Sequence, residues 1–339
     1  MQTFLKVQFL ILLVATTFTS CTPPQITETH LYGPTMGTTY NVKFVPVGGV
    51  SEQELKQQVE RVLVDINQLM STYIQDSELS QFNQWNSIEP FDMSPQTIDV
   101  LNEAKRLGDM SAGLLDVTIG PLVNLWGFGP QSRPKKIPTE ELIKATKQLV
   151  GLEKLTVGTT WASKSNPNLY VDLSTIAKGY AVDQIAELLQ THKINNFLVE
   201  IGGEMRVSGI KASGKTWIIA IEKPEAERRS VQEFISIGNN AVATSGDYRI
   251  YYEQNGVRYS HLINPRTGYP ISHNVVSVTV IHPSSMTADG LATALIVMGK
   301  EKALALAETY DIAVLLITKE KDHFTEYTST KFEQLVTVL

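Results

Sequence analysis

The chain holds one cysteine, Cys21, in 339 residues. That excludes an intramolecular disulfide framework and any zinc site built from several cysteines. It has no long basic run, and its formal net charge is −6 with a pI near 5.6. Such a chain offers a phosphate backbone little electrostatic attraction, so no nucleic-acid partner is expected. Gly-x-Gly-x-x-Gly after a strand and Gly-x-x-x-x-Gly-Lys-Ser/Thr are both missing, which argues against a Rossmann dehydrogenase and a P-loop ATPase. His-Glu-x-x-His and Gly-x-Ser-x-Gly are missing too, which argues against a zinc protease and an α/β-hydrolase. Gly at 22 and Pro at 15 are ordinary, so the chain is neither collagen-like nor of low complexity.

What is present begins with a targeting pattern. Lys6 precedes the apolar run Phe9 to Ala15, and Thr16, Thr17, Thr19 and Ser20 follow it. A charged start, a short apolar stretch and a small-residue zone make a secretory signal. The run is too short for a bilayer span, which needs about 20 apolar residues. Phe18-Thr19-Ser20-Cys21 resembles a bacterial lipobox, although such boxes favour Leu at the place of Phe18. Residues 1–20 are therefore expected to be a lipoprotein signal peptide, and Cys21 the lipid-bearing first residue of the mature chain. The alternative is an ordinary secretory peptide with an incidental cysteine. Residues 21–30, with Pro23-Pro24 and no apolar pattern, are expected to be a tether. Residues 31–339 then form the working domain, lipid-anchored on the periplasmic side of the cell envelope. Pro23 gives no inner-membrane retention signal of the Asp type, which favours the outer membrane over the inner.

The domain reads as α+β: a mostly antiparallel sheet core with flanking helices, which could divide into two closely packed lobes. Ser51 and Glu54 form a capping box. Leu55, Val59, Val62, Leu63, Ile66, Leu69 and Met70 then recur at helical spacing. Ser94-Pro95 opens a second helix with Ile98, Leu101, Ala104 and Leu107 inside. Further helices are expected from about Ser174 to Leu189, after Thr287, and over Glu301 to Thr309. Strand-like stretches run Phe197–Ile201, Trp217–Ile221, Tyr248–Tyr252, Tyr259–Ile263, Val275–Ile281 and Ile312–Ile317. From about 197 to 281 only short turns separate them, which favours antiparallel pairing.

Several segments carry chemistry. If a helix begins near Asp289, then Asp289 and Thr293 share one face. Two oxygens there suit a hard cation such as Mg²⁺, and the helix N-terminus suits a phosphate. The bland alternative is a helix cap. In Asp172 to Asp183, a strand end leads into a helix start where Lys178 could sit over a phosphate. Gly179 costs that helix about 1 kcal/mol, which implies close approach by a ligand or by a neighbouring backbone. In Tyr259 to Pro270, Tyr259, His261 and Ile263 would share a strand face, with His261 a candidate general base or simply a structural histidine. From Gly113 to Gly129, Gly-flanked aromatics could wall a planar ligand or form a core strand and loop. Thr244 to Arg249 is a polar turn.

Taken together, these segments resemble the ApbE-type FAD:protein FMN transferases, periplasmic lipoproteins that attach FMN covalently to partner proteins. The resemblance rests on Met36-Gly-Thr-Thr-Tyr40, Gly113-Leu-Leu-Asp116, Pro121 to Gly129, Asp172 to Asp183 and Val199-Glu-Ile-Gly-Gly203, followed by Thr244 to Arg249, Ser260 to Gly268 and Thr287 to Thr293. It spans roughly residues 31 to 330 and implies the following. FAD, as substrate, would contact Met36, Tyr73, Leu114, Leu115, Asp116, Asp172, Lys178 and Ile263. Thr175, Asp289 and Thr293 would hold Mg²⁺, Thr175 through its backbone carbonyl. His261 would sit beside the reacting phosphate and take the acceptor's proton. The acceptor would be a protein carrying Asp-x-x-Ser/Thr-Gly-Ala-Ser/Thr. Some relatives carry Glu at the place of Lys178 and a second acid at that of Ala292. Two further readings stay open: a metal-dependent FAD pyrophosphatase giving FMN and AMP, and a non-catalytic flavin-binding lipoprotein.

Overall fold

A computed structural model describes residues 27–129, 137–225, 230–248, 250–321 and 323–339. The expected leader, Cys21, Arg249 and much of the Pro-rich loop after Gly129 lie outside the described residues. The first strand, β1 (Thr29–Thr35), starts within the segment expected to be tether and pairs with β2 (Thr38–Phe44). Met36 and Gly37 turn the hairpin with φ of 47° and 71°, the paired left-handed conformation that matches strand twist.

Helix α1 (Glu52–Met70) begins as expected: the Ser51 side chain accepts from the Glu54 N–H, and Leu55, Val59, Leu63, Ile66 and Met70 are buried. A short α2 (Glu78–Gln84), capped by Ser77, was not anticipated; seven residues with two buried apolar side chains leave no periodicity to read. Next come β3 (Phe91–Asp92), α3 (Pro95–Met110) capped by Ser94, α4 (Gly120–Leu125), α5 (Glu140–Lys147), β4 (Leu155–Val157) and β5 (Trp161–Lys164). Strands β3, β5 and β4 form a small antiparallel sheet. Helix α6 (Ala177–Thr191) starts later than expected, because Asp172 to Ile176 is loop and turn.

The strand-rich half follows the antiparallel expectation. It contains β6 (Phe197–Ile201), β7 (Glu204–Ser208), β8 (Ile219–Glu222), β9 (Val231–Ser236), β10 (Ala241–Gly246), β11 (Tyr251–Gln254), β12 (Val257–Ser260) and β13 (Val275–His282). Helices α7 (Ser285–Met298) and α8 (Lys300–Thr309) precede β14 (Ala313–Glu320), β15 (His323–Thr328), α9 (Thr330–Leu335) and β16 (Thr337–Val338). Eight strands make the main sheet in the order β1-β2-β6-β7-β10-β13-β14-β15, every neighbour antiparallel. Strands β16, β9 and β8 form a separate sheet, and among the described residues β11 pairs only with β12.

Alternation along β14 shows how the sheet is covered. Val314 and Leu316 join the largest apolar cluster with residues of α1, α3, α6 and α7, whereas Ala313 and Leu315 join a second cluster with Ile219, Ile221, Ile235 and Phe332. Successive side chains of a strand point to opposite faces, so helices cover one face and the small β16-β9-β8 sheet with α9 covers the other. Both faces are buried, which is why β14 opens with the continuous apolar run Ala313 to Ile317 rather than an alternating one. A third cluster, around Leu122, Trp126, Ile143 and Ile263, stands apart.

Candidate active site

Helices α6 and α7 meet at Gly179. A Cβ there would lie 2.3 Å from the Ser285 carbonyl oxygen, so the neighbouring backbone is what needs the glycine. Each helix caps the other. Asp289 of α7 accepts the Gly179 N–H at 3.0 Å, satisfying a free donor in the first turn of α6. Asp183 of α6 accepts from the Ser285 and Met286 N–H groups, both at 3.0 Å, and from Ser284 Oγ at 2.7 Å. Arg206 closes the pair at 2.8 Å from Asp183. Two expectations change as a result. Helix α7 starts at Ser285 on a Ser284 cap, placing Asp289 in its second turn, although Asp289 and Thr293 keep their shared face. Its N-terminus faces the Asp183 carboxylate, so a phosphate has no free donors to meet there.

Above this crossing lies a cavity of about 560 Å³. Asp289 and Thr293 line it from α7, and Asp172, Thr175 and Lys178 from the entry to α6. Leu114, Leu115 and Asp116 contribute from the loop before α4, Thr244 and Ser245 from β10, and His261 and Ile263 from the segment after β12. The β6–β7 turn adds Gly202 and Gly203, with φ of 61° and 110°, so backbone rather than side chain faces the space. Met36 and Tyr73 do not line it: Met36 sits at the β1–β2 turn and Tyr73 is exposed after α1. The proposed aromatic wall is also elsewhere. Trp126 is fully buried, donates Nε1–H to the Gly268 carbonyl at 2.8 Å and belongs to the third cluster. The segment around it is helix α4 rather than a strand. Thr244 to Gly246 is strand, not turn.

The charges are concentrated near the α6–α7 crossing. Lys178 Nζ lies 2.7 Å from Glu204 Oε1. Glu204 was missing from the sequence expectations. It opens β7 directly after Gly203, and nothing local marks it, because its partner is 26 residues earlier and on a helix. Burial pushes Glu204 up to about 7; Lys178 opposes that shift and Asp289 adds to it. Burial works against the Lys178 ammonium, but Asp289 and Glu204 outweigh it and hold its pKa above the ordinary value. Asp289 is also raised by burial, with Lys178 and the Gly179 N–H acting in the opposite direction. Asp116 is raised by burial against the two bonds it accepts from Thr118, and it also borders a second cavity of about 450 Å³.

The oxygens at this crossing fit a hard cation. Among the described residues, Glu204 Oε2 and Thr175 Oγ1 are buried without a hydrogen-bond partner, and Thr293 Oγ1 lies 3.2 Å from Ser245 Oγ. Among the described residues no group of three or more His, Cys, Asp or Glu could hold a metal. A cation here would keep waters or ligand oxygens in its shell, which is how Mg²⁺ binds.

His261 stands on the opposite rim. Strand β12 ends at Ser260, so His261 and Ile263 leave the strand and the expected shared face with Tyr259 is not formed. Its Nδ1–H donates to the Ile250 carbonyl at 3.0 Å, and its backbone N–H donates to the same oxygen at 3.2 Å. That bond fixes the neutral tautomer and leaves Nε2 with a free lone pair. Burial lowers the imidazole pKa below 6.5, against the Ile250 bond.

Helices α6 and α7 and the loops and strand ends around them bring carboxylates, hydroxyls, an ammonium and an imidazole to one cavity, which defines a protein built to bind and transform a polar small molecule. The ApbE family profile matches residues 36–316, and the chain belongs to the ApbE family. It is 55% identical over 307 residues to the FAD:protein FMN transferase of Vibrio cholerae serotype O1, covering 90% of this chain and 92% of that protein. Identity to the FAD:protein FMN transferase of Haemophilus influenzae is 48% over 313 residues, 90% of each chain. Among solved structures it resembles flavin transferase ApbE from Vibrio cholerae with a TM-score of 0.85 and 54% identity, covering 91% of this chain and 99% of that one. The apo Pseudomonas stutzeri flavinyl transferase ApbE gives 0.84 and 39%, covering 91% and 96%.

Proposed function

We propose that this protein moves FMN from FAD to a Ser or Thr hydroxyl of an acceptor protein and releases AMP. The observation that carries the reading is convergence. Asp172, Thr175, Lys178, His261, Asp289 and Thr293 come from three distant stretches of chain and line one cavity. Its relatives' names supply the substrate and the acceptor class.

The chemistry follows from the arrangement. Leu114, Leu115 and Ile263 offer apolar surface to the rings of FAD, and the Lys178 ammonium offers a fixed positive charge to its diphosphate. Asp289 and Thr293, with Thr175, would hold Mg²⁺, which neutralises charge on the diphosphate oxygens and improves AMP as a leaving group. The acceptor hydroxyl attacks the phosphorus of the FMN half. A new P–O bond forms, the bridging P–O bond breaks, and AMP leaves with the bridging oxygen. A Ser or Thr hydroxyl has a high pKa, so it needs a base as the bond forms. His261 Nε2 takes that proton. If water replaced the hydroxyl, the same steps would yield free FMN and AMP.

Delivery to the envelope completes the reading. Cys21 carries the lipid, and the domain works on the periplasmic side, in the outer membrane by the absence of an Asp after Cys21. Among the described residues no helix is long and apolar enough to cross a membrane, so the lipid is the anchor this reading requires. The acceptor presents Asp-x-x-Ser/Thr-Gly-Ala-Ser/Thr.

The test uses purified protein, FAD, Mg²⁺ and an acceptor carrying that segment. Flavin fluorescence on the acceptor in a denaturing gel, with the matching mass and loss on EDTA addition, is the expected result. A dark acceptor with AMP and free FMN released would instead identify a pyrophosphatase. A dark acceptor with intact bound FAD would leave a flavin-binding protein.

A further inference from the structure

The β11–β12 hairpin has no strand neighbour among the described residues, yet His261 follows directly from it. Backbone hydrogen bonding to the main sheet therefore does not set where the imidazole stands. The Ile250 carbonyl does, by its two bonds to His261, and aromatic side chains pack the hairpin beside them. Tyr252 and Tyr259 are cross-strand partners in the hairpin, and their rings stack at 5.3 Å and 23°. Trp126 stacks on Tyr259 at 5.6 Å and 25°, and Phe128 on Tyr252 at 5.4 Å and 29°. The two outer rings come from one loop, with Gly127 between them at φ 80°. That left-handed residue lets both rings reach the hairpin. Trp126 is fixed by burial and by its bond to the Gly268 carbonyl. Phe128 also presents its ring to His261, at 6.3 Å and 68°, an edge-to-face arrangement.

We infer that the Trp126–Tyr259–Tyr252–Phe128 stack is the clamp that holds His261 in line with the cavity, and that Phe128 and Tyr252 are positioning residues for the transfer reaction. This inference rests on the role given to His261 above. The Tyr252 hydroxyl is buried with no hydrogen-bond partner among the described residues, so Tyr252 contributes through its ring.

The test compares Phe128→Leu, Tyr252→Leu and Tyr252→Phe with the unmodified full-length protein. Misplacing a general base without removing it costs on the order of 10-fold in rate. The two leucine variants should lose about that much in kcat, while KM for FAD changes by less than about threefold. Tyr252→Phe keeps the stacked ring and should retain kcat. Unchanged kcat in both folded leucine variants overturns the clamp, as does a parallel loss of kcat and FAD affinity. A second readout is independent of turnover: ¹⁵N spectra of histidine-labelled protein. They should show one Nδ1–H tautomer for His261 in the unmodified protein, and averaged nitrogens in the leucine variants. An unaltered His261 signal in those variants overturns the inference even if no transfer activity is found. If His261→Ala transfers FMN at the full rate, the reading of the site fails instead. The spectra would then still decide whether the stack orients the ring.

Discussion

Half-buried Lys178 holds its charge between Glu204, 2.7 Å away, and Asp289, and the two carboxylates together raise its pKa against burial. The sequence marked Lys178 and Asp289 by their motifs and gave no sign of Glu204, because the pair forms only when β7 is laid against the start of α6. His261 was legible as a titrating residue near a turn, but its working tautomer was not, since that depends on the Ile250 carbonyl 11 residues away. The prediction at this scale is a pH profile. Burial holds the free imidazole pKa below 6.5, so on acidification the base is lost only below that value. The acid limb of kcat/KM, which reports the free enzyme, should therefore have its midpoint below 6.5. His261→Ala should remove that limb and slow transfer more than it weakens FAD binding. An acid limb unchanged in His261→Ala would assign the titration to another group, and equal losses in rate and binding would make His261 a binding residue.

At the scale of elements, the crossing of α6 and α7 joins fold to site. Asp289 accepts the Gly179 N–H in the first turn of α6, and Asp183 accepts the Ser285 and Met286 N–H groups in the first turn of α7, so each helix start is tied to the other helix. The anomaly of Gly179 in a helix was visible in the sequence, and it correctly implied close approach. Its neighbour, the Ser285 backbone, was not visible, because no local pattern says which two helices meet. Helices α1 and α3 were read closely because their Ser caps and apolar stripes are local signals, whereas α2 is too short to show a stripe. Gly179→Ala should test the crossing. The added carbon would meet a carbonyl held by two caps, and such overpacking costs about 1–3 kcal/mol. The variant should melt several degrees lower. It should also lose transfer activity, since any shift of α7 away from α6 moves Asp289. A variant with unchanged melting and unchanged transfer would mean the helices separate without effect, and would detach Asp289 from the reaction.

At the scale of the whole molecule, the cavity wall is drawn from all three apolar clusters. Leu114 and Leu115 belong to the largest, Ile219, Ile221 and Val242 to the second, and Ile263 to the third. A bound ligand therefore touches residues of all three clusters, and its binding should register as global stability. Occupancy at 100 times the dissociation constant stabilises by about 2.7 kcal/mol. For a chain of this size, 1 kcal/mol moves the melting temperature by roughly 2 °C, so FAD with Mg²⁺ should raise it by about 5 °C. Asp289 links the two ligands: its charge acts on the Lys178 ammonium, and it is the one acidic residue in the proposed cation set. In the metal-free protein its raised pKa reflects burial without a full counter-charge, and a divalent ion would supply that charge. The increment that Mg²⁺ adds to the FAD shift should vanish with EDTA and be absent in Asp289→Ala, while the shift from FAD alone persists in reduced form. Differential scanning of the four combinations separates these contributions. An Mg²⁺ increment that survives in Asp289→Ala would place the cation elsewhere in the cavity, with Glu204, whose buried Oε2 lacks a partner among the described residues, next to be mutated.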